Sequence, residues 1–315
     1  MGKIVSFSFK FKGGFARLND ALLSRGLVIH FKNYYGPFVS PGDIRRPLDD
    51  ERNIPGLDLD LNAQTSFLSR LDYGDELIEL PDNGDDELQY SYRNGMFGPG
   101  DAEILYGIIR HLKPKRIVEI GAGSSTLIAQ EAIRKNKQES KNYTCTHICV
   151  EPYENPWLEK LGIEVIRKKV EDLPISFFEA LEENDILFVD SSHVVKPQGD
   201  VLFEVFDVYG SINSGVYVHV HDIFTPRDYP REWIVDDRKL WHEQYLLEAF
   251  LSFNDEFEIV CALNWIWKNH PELLTRACPV LTNRIPNNPG SFWFWAPLAQ
   301  NIRNRVRRTP VTSSP

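Results

Sequence analysis

Arg-Ile-Val-Glu-Ile-Gly-Ala-Gly-Ser-Ser-Thr, residues 116–126, runs from an apolar segment through two closely spaced glycines into an amphipathic segment. The apolar residues predict a short buried strand, and the segment after the glycines predicts a helix. Gly121 and Gly123 allow the backbone to approach a ligand closely, and Ser124 is positioned to cap the helix. A strand, a glycine turn and a helix in this order are typical of a nucleotide site.

The charge beside this turn narrows the choice of ligand. Glu119 precedes Gly121 by two residues. A helix N-terminus attracts anions, so a carboxylate here disfavours a pyrophosphate and favours a cationic ligand. The dinucleotide fingerprint G-x-G-x-x-G is also incomplete, because its third glycine position is Thr126. An ordinary strand-to-helix turn without a ligand is the remaining interpretation.

The stretch resembles the first motif of the class I S-adenosylmethionine (SAM) methyltransferases. In that motif the acidic residue meets the positively charged methionine end of the ligand. The resemblance implies that SAM is the cofactor and that it is contacted by Glu119, Gly121, Gly123, Ser124 and Ser125.

Charge and hydropathy exclude several classes of partner. The chain has 315 residues and a formal net charge of −10, whereas a nucleic-acid partner normally requires a basic face. No apolar run reaches the roughly 18 residues of a membrane span, and the first 30 residues lack the pattern of a secretory signal. We therefore expect a cytoplasmic protein with no nucleic-acid partner and no membrane span.

The two ends of the chain differ from its centre. Residues 1–90 show scattered aromatics and turn signals without a regular rhythm, and we expect an accessory segment that caps the main domain or forms a homodimer contact. Met1-Gly2 followed by Ser6 matches an N-myristoylation pattern, although a short strand explains the same residues. Residues 301–315 are expected to form a flexible tail.

Residues 91–300 alternate strands and helices and form the expected main domain. Strands are predicted at 116–121, 147–151, 164–167, 186–190, 216–221, 257–263 and 292–295. Five successive strand-helix units predict an α/β fold, a doubly wound and mostly parallel seven-stranded sheet with helices on both faces and an antiparallel last strand. Ligands of such sheets bind beyond the carboxyl ends of the strands.

Acidic residues follow the second and third predicted strands. Glu151 is positioned to accept hydrogen bonds from ribose hydroxyls, a geometry shared by dinucleotide and SAM sites. After the third strand, the methyltransferase resemblance implies an acidic residue that receives the adenine amino group. Of Glu171 and Asp172 we expect Asp172, although an acidic pair that favours a helix N-terminus explains both residues equally well.

The fourth and fifth predicted strands end in groups that suit a metal ion. Asp190 ends the fourth strand, and His221 and Asp222 end the fifth. Since the carboxyl ends of adjacent parallel strands meet at one edge of a sheet, we expect these side chains to converge. Two carboxylates and an imidazole predict a site for Mg²⁺ or Mn²⁺. Asp190 is also expected to contact the cofactor.

This arrangement resembles the metal-dependent catechol O-methyltransferases, whose metal ligands come from the ends of the same two strands. In that family a lysine three residues after the aspartate of the fourth strand is the base, and this position is His193 here. The resemblance implies that His193, with His221 as the alternative, removes the acceptor proton. The fifth strand departs from the family, because His-Asp replaces Asp-Asn.

A broader resemblance covers residues 90–297. It is to the bacterial SAM methyltransferases of polysaccharide and natural-product biosynthesis. The matching stretches are Tyr92–Asp101, Val118–Ser125, Asp185–Val194, His219–Phe224 and Asp228–Pro230. The resemblance implies a small-molecule or glycan acceptor that is methylated on a hydroxyl, and it adds Asn94 to the cofactor contacts.

The sequence thus predicts a SAM-dependent O-methyltransferase, and alternatives remain. A metal-independent enzyme would use His193 or His221 as the base without a metal ion. A carboxyl methyltransferase would need no strong base. An NAD-dependent oxidoreductase shares the first strand and Glu151, and a non-enzymatic nucleoside-binding module would retain the sheet as a scaffold.

Overall fold

The computed structural model describes residues 18, 20–23, 25–27 and 35–297. The chain divides into two compact units, residues 1–45 with 232–240 and residues 46–231 with 241–315. In the first unit, the described structure includes a 3₁₀ turn at Pro41–Asp43 and a π-helical turn at Glu232–Asp236. The myristoylation pattern and the expected tail 301–315 lie outside the described residues.

A single sheet organises the second unit. Its strands, among the described residues, are β1 (Arg116–Ile120), β2 (Thr146–Val150), β3 (Glu164–Ile166), β4 (Ile186–Val189), β5 (Tyr217–Val220), β6 (Glu258–Ala262) and β7 (Phe292–Trp295). Their order is β3-β2-β1-β4-β5-β7-β6, and β7 runs antiparallel to both of its neighbours. The predicted doubly wound, mostly parallel sheet is confirmed, and every strand end lies within one residue of its predicted position.

Helices cover the sheet between the strands. They are α1 (Leu61–Leu68), α2 (Gly74–Ile78), α3 (Asp101–Leu112), α4 (Ser124–Glu139), α5 (Asp200–Phe203), α6 (Glu243–Leu251), α7 (Leu263–Asn269) and α8 (Pro279–Asn283). A π-helical turn, Glu204–Val208, continues α5. None of the helices in the described part of the chain has the length and apolar character that crossing a membrane requires.

The strand-helix units predict a helix after β2 and another after β3, and both segments are short and of the 3₁₀ type. The chain forms 3₁₀ turns there, at Leu158–Leu161 and Ile175–Phe177. After the first turn, Gly162 adopts a left-handed conformation that ends helical geometry. After the second, Phe178 and Leu181 are fully buried in the core.

Alternation along the strands builds two cores, one on each face. On β1, Ile117 packs into the core that contains α3 and α4, whereas Val118 and Ile120 pack into the core that contains α6. Successive strand residues point to opposite faces, so a strand that is apolar at every position buries both sides. The sheet is therefore enclosed, and only its edges and strand ends are open to ligands.

Residues before the expected domain start also belong to this unit. It begins at Arg46, whereas the main domain was expected from residue 91. Phe67 of α1 stacks on Tyr217 of β5 with ring centroids 6.0 Å apart, and the buried Gln64 side chain accepts a hydrogen bond from the Ala262 amide at 2.7 Å. The helix thus packs against strands that come some 150 to 200 residues later.

Asp101 joins the start of α3 to the segment that enters β7. Its buried Oδ1 accepts hydrogen bonds from the amides of Gly290 and Ser291 at 2.9 and 2.7 Å. Gly290 in turn lies against the backbone of Asp222 at the end of β5. The Asp101 carboxylate therefore links the start of α3 to the segment that packs against the end of β5.

Asp101→Ala is expected to destabilise the protein by about 2–4 kcal/mol, because two buried amides lose their acceptor. Asp75→Ala, which removes an exposed carboxylate from the first turn of α2, is the matched control and should change stability by no more than about 0.5 kcal/mol. Urea unfolding followed by circular dichroism measures both. Equal midpoints for the two variants would contradict the anchoring role of Asp101.

Candidate active site

A cavity of about 1230 Å³ opens at the carboxyl ends of the parallel strands. The residues directly after four strands line it, namely Gly121 after β1, Glu151 after β2, Asp190 after β4 and His221 after β5. Sheets of this type bind their ligands in this position. The loop 83–97 supplies a further wall that no strand end contributes.

The glycine turn brings the ends of β1 and β4 into direct contact. Gly121 has a φ of +75°, a conformation that side chains disfavour, and an added Cβ would overlap the carbonyl oxygen of Asp190. The Asp190 amide donates to the Ile120 carbonyl at 2.8 Å. Gly123 is extended, and the nearest atom to an added Cβ is Asn155 Nδ2 at 3.7 Å. Close backbone packing therefore requires Gly121 and not Gly123.

The cap of α4 differs from the expectation. The helix begins at Ser124 with Gly123 as its N-cap, and the side chain that accepts the Gly123 amide is Thr126, at 3.1 Å. Ser124 is therefore not the cap, because it lies one residue inside the helix. Ser124 and Ser125 both line the cavity.

Glu119 lies behind the turn. Its side chain is only 2% exposed and is not among the groups that line the cavity. Ser125 Oγ donates to Oε1 at 2.6 Å, and His147 Nε2 lies 2.7 Å from Oε2. The strand alternation turns Glu119 toward the face that carries Ile117 and α4, away from the cavity edge. Glu119 therefore holds the glycine turn through Ser125, and the ligand contact expected of it does not follow from this geometry.

Glu151 lines the cavity and organises the turn after β2. Its Oε1 accepts hydrogen bonds from the amides of Tyr153 and Glu154, both at 2.9 Å, and its Oε2 accepts from the Ala122 amide at 3.4 Å. The carboxylate thereby connects the turns that follow β1 and β2. Glu151 thus lies at the cavity wall, and its expected hydrogen bonds to ribose hydroxyls stay a prediction.

Asn94, Glu171 and Asp172 take different positions. Asn94 lines the cavity, but its amide group stabilises its own loop, with donation to the carbonyls of Ser91 and Phe97 at 2.7 and 3.0 Å. Of the acidic pair, Glu171 lines the cavity and Asp172 does not. Both belong to the 3₁₀ turn Val170–Asp172, and consecutive residues of a turn point in different directions.

Asp190, His193 and Asp222 form a compact cluster at the ends of β4 and β5. His193 Nε2 lies 3.2 Å from an oxygen of Asp190 and 3.6 Å from an oxygen of Asp222. One potential ligand atom from each residue lies within 4.8 Å of the others, which is compatible with a shared cation. His221 lies beside this cluster, with Nε2 3.6 Å from Asp222. Thus the structure groups His193, and not the expected His221, with the two carboxylates.

Glu243 orients the His193 ring from the interior. Its Oε2 lies 2.7 Å from His193 Nδ1, and its amide donates to the His193 carbonyl at 3.3 Å. Trp241 packs on the imidazole with centroids 4.3 Å apart. A carboxylate on one ring nitrogen fixes which nitrogen faces the cavity, both for metal ligands and for general bases.

The pKa shifts show that this site attracts positive charge. Burial lowers the pKa of His193, but hydrogen bonds to Asp190 and Glu243 outweigh burial and raise the pKa well above its usual value. Burial also lowers the pKa of His221, yet the charges of Asp222 and Asp190 produce a net rise. Burial raises the pKa of Asp190, while His221 and His193 lower it below its usual range. The carboxylates and the imidazoles of this site therefore shift each other's pKa in opposite directions.

Comparison with known proteins identifies the domain. Residues 118–223 match a family model described as a methyltransferase domain. An uncharacterized protein of Archaeoglobus fulgidus is 31% identical over 168 residues, which cover 49% of this chain and 74% of the archaeal protein. The chain belongs to the same family as this protein. The residues that match the methyltransferase-domain model include the glycine turn and the strand ends from β1 to β5.

Solved structures of methyltransferases are more distant. The chain is similar to a cmcI structure described as Mg-SAM, at 14% identity over 71% of this chain and 84% of that chain, with a TM-score of 0.34. It is also similar to loganic acid methyltransferase with SAH, at 12% identity over 70% and 99% of the two chains, with a TM-score of 0.31. Similarity at this level does not extend to substrates or ligands.

Sequence reasoning missed three residues that support the side chains of this site. His147 pairs with Glu119, and its signal was available, because it lies two residues before Cys149, the register partner of Glu119 on β2. Glu243 and Trp241 left no comparable signal, since some fifty residues separate them from His193. Only the tertiary fold, which places the start of α6 against the loop that follows β4, brings them together.

Gly121→Ala is expected to cost at least about 2 kcal/mol of stability, because the side chain is disfavoured at positive φ and overlaps the Asp190 carbonyl. Gly123→Ala is the matched control and should cost about 1 kcal/mol or less. Thermal unfolding of both variants measures the difference. A Gly121→Ala protein as stable as Gly123→Ala would contradict the close contact between β1 and β4.

Proposed function

We propose that the cavity binds SAM and that the protein transfers its methyl group to a hydroxyl of a small molecule or glycan. One observation carries the proposal, the meeting of the glycine turn, Glu151 and the Asp190–His193–Asp222 cluster in one cavity. The match of residues 118–223 to a methyltransferase-domain model supports SAM as the methyl donor.

SAM binding is assigned to the ends of β1 to β4. Gly121, Gly123 and the first residues of α4, Ser124 and Ser125, present backbone to the ligand, and Glu151 accepts the ribose hydroxyls. Glu171 is better placed than Asp172 to receive the adenine amino group, because Glu171 lines the cavity. Asp190 belongs to the Asp190–His193–Asp222 cluster and also borders the region assigned to SAM. Glu119 and Asn94 act indirectly, through the turn and the loop that they hold.

A divalent cation fits the cluster. Two carboxylates and one imidazole are a suitable donor set for Mg²⁺ or Mn²⁺, and Glu243 provides the supporting hydrogen bond that metal-ligating histidines usually have. A bound cation would lower the pKa of an acceptor hydroxyl and orient it. Asp190, His193 and Asp222 would hold the ion, and His221, next to Asp222, would be the neighbouring imidazole able to accept a proton.

Metal-independent transfer is the second candidate. The Glu243–His193 pair has the geometry of a carboxylate that orients a general base, and His193 Nε2 faces the cavity side of the cluster. In that mechanism Asp190 and Asp222 would position the acceptor hydroxyl. Full activity after chelator treatment would favour this candidate over the metal-dependent one.

SAH binding tests the proposed donor site. Wild-type protein is expected to bind SAH in calorimetric titration, and Glu151→Gln should weaken binding about tenfold or more, because the charged acceptor of the ribose hydroxyls is lost. Glu164→Gln, on the exposed surface of β3, is the control and should leave the affinity unchanged. Failure of the wild-type protein to bind SAH would refute SAM as the donor.

Cation binding tests the cluster separately. Mn²⁺ titration of the wild-type protein should show one site, and Asp190→Asn and Asp222→Asn should each weaken it at least tenfold by removing a charged ligand. Glu243→Gln should weaken it to a similar or smaller extent through loss of His193 orientation. Asp207→Asn, at an exposed position, is the control. Equal Mn²⁺ affinity in all four variants would exclude the cluster as the metal site.

A further inference from the structure

A carboxyl group is buried in the apolar core next to the loop that follows β4. Glu204 begins the π-helical turn that continues α5, and its side chain is completely buried beside Val205 and Val208. Turns of this kind are rare and often occur at functional sites. An ionised carboxylate in apolar surroundings is costly unless it is paired, so we expect Glu204 to have a cationic partner or to be neutral.

The hydrogen bonds of the Glu204 side chain leave one of its oxygens unused. The Ser191 hydroxyl donates to Oε2 at 3.0 Å, whereas the buried Oε1 has no partner in the described part of the chain. Ser191 directly follows Asp190 and lines the cavity, but Glu204 does not. Any effect of Glu204 on a ligand therefore passes through the residues that it holds.

A second carboxyl group nearby also has an unused oxygen. Glu243 contacts His193 through Oε2, and its Oε1 is buried without a partner among the described residues. The helix α6, which begins at Glu243, contacts the π-helical turn, and the charge of Glu243 raises the pKa of Glu204 more than any other charge does. Carboxylate oxygens only accept hydrogen bonds, so these two oxygens can satisfy each other only if one of the two groups carries a proton.

The surroundings favour a proton on Glu204. The titratable groups that interact with it are Asp200 of α5, Glu243 of α6, His193 of the loop after β4 and Tyr209 at the end of the turn. Burial raises the pKa of Glu204 well above its usual value, and the charges of Glu243 and Asp200 raise it further. Burial also raises the pKa of Glu243, but its hydrogen bond to His193 opposes this rise. The negative charge is therefore better placed on Glu243 and the proton on Glu204.

We propose that Glu204 is a positioning residue, a neutral carboxylic acid that donates its proton to the unused oxygen of Glu243. Its effect on the metal cluster rests on the proposed function. A Glu243 carboxylate held in this way keeps its other oxygen on His193 Nδ1, so that Nε2 stays directed at Asp190 and Asp222. Enzyme sites are known to use buried carboxylic acids as hydrogen-bond donors at neutral pH.

The neutral state predicts which substitutions the site tolerates. Glutamine has nearly the shape of a protonated glutamate, and in Glu204→Gln the amide would donate to Glu243 while the side-chain carbonyl would accept from Ser191. Leucine has a similar volume but neither hydrogen-bonding group. Glu204→Gln should therefore preserve the arrangement of His193, and Glu204→Leu should lose it.

Infrared spectroscopy tests the neutral acid directly. A protonated carboxyl group has a C=O band that is distinct from the bands of carboxylates and that shifts in D₂O. The difference spectrum between the wild-type protein and Glu204→Gln at neutral pH should show the loss of one such band, because all other buried acids cancel in the difference. Glu179→Gln, at an exposed position, is the matched control and should lose none. A Glu204→Gln protein that also loses none would overturn the proposal.

Mn²⁺ titration tests the positioning role. Glu204→Gln should bind Mn²⁺ within about twofold of the wild-type affinity, and Glu204→Leu should bind it at least about tenfold more weakly, because the support of His193 is lost. Tyr209→Phe removes a buried hydroxyl that has no partner in the described structure, and as the control it should match the wild-type protein. Thermal unfolding reports whether each variant folds. Equal weakening in the Gln and Leu variants would overturn the proposal, because it would require an anion at Glu204.

The two measurements distinguish failure of this inference from failure of the proposed function. The infrared experiment needs neither SAM nor a metal ion. A wild-type protein that binds no Mn²⁺ but loses the band in Glu204→Gln would refute the metal site and support the neutral acid. A protein that binds Mn²⁺ but shows no such band would refute the neutral acid alone. If Glu204→Leu does not fold, the comparison of Glu204→Gln with the wild-type protein still decides the outcome in both measurements.

Discussion

The carboxyl ends of β1 and β4 meet through the backbone of Gly121, which leaves no space for a side chain against the Asp190 carbonyl. This contact sets the distance between the glycine turn and the acidic cluster at the end of β4. Because Asp190 also pairs with His193, a shift of the turn would move the cluster as well. The two halves of the cavity are thus positioned by a steric constraint and not by side-chain attraction.

Buried polar groups support this contact from behind. Glu119, with Ser125 and His147, holds the turn from the face that carries α4, and Glu243 holds His193 from α6. Burying carboxylates is costly unless they are paired, so each of these groups is tied to a specific partner. Their rigidity allows the residues at the cavity wall to remain ready for a ligand.

Negative charge is the second property that unifies the site. Asp190 and Asp222 face His193, and the loop 83–97 adds acidic groups at the rim. A cationic methyl donor and a divalent ion are ligands that such a cavity would concentrate.

The sequence by itself determined the sheet, because strands buried on both faces are apolar at every position and turn residues mark their ends. It also determined that Glu151, Asp190, His193, His221 and Asp222 would gather at one edge, since parallel strands share that edge. The sequence did not determine which acidic residue of the turn Val170–Asp172 lines the cavity. The tertiary structure places Glu171 at the cavity wall and Asp172 away from it.

The partners of two other carboxylates were also decided only by the tertiary structure. Glu119 pairs with His147 on the neighbouring strand, and Glu243 at the start of α6 pairs with His193. Local patterns specify where a residue lies along an element. The direction of its side chain and its distant partners depend on how the elements pack.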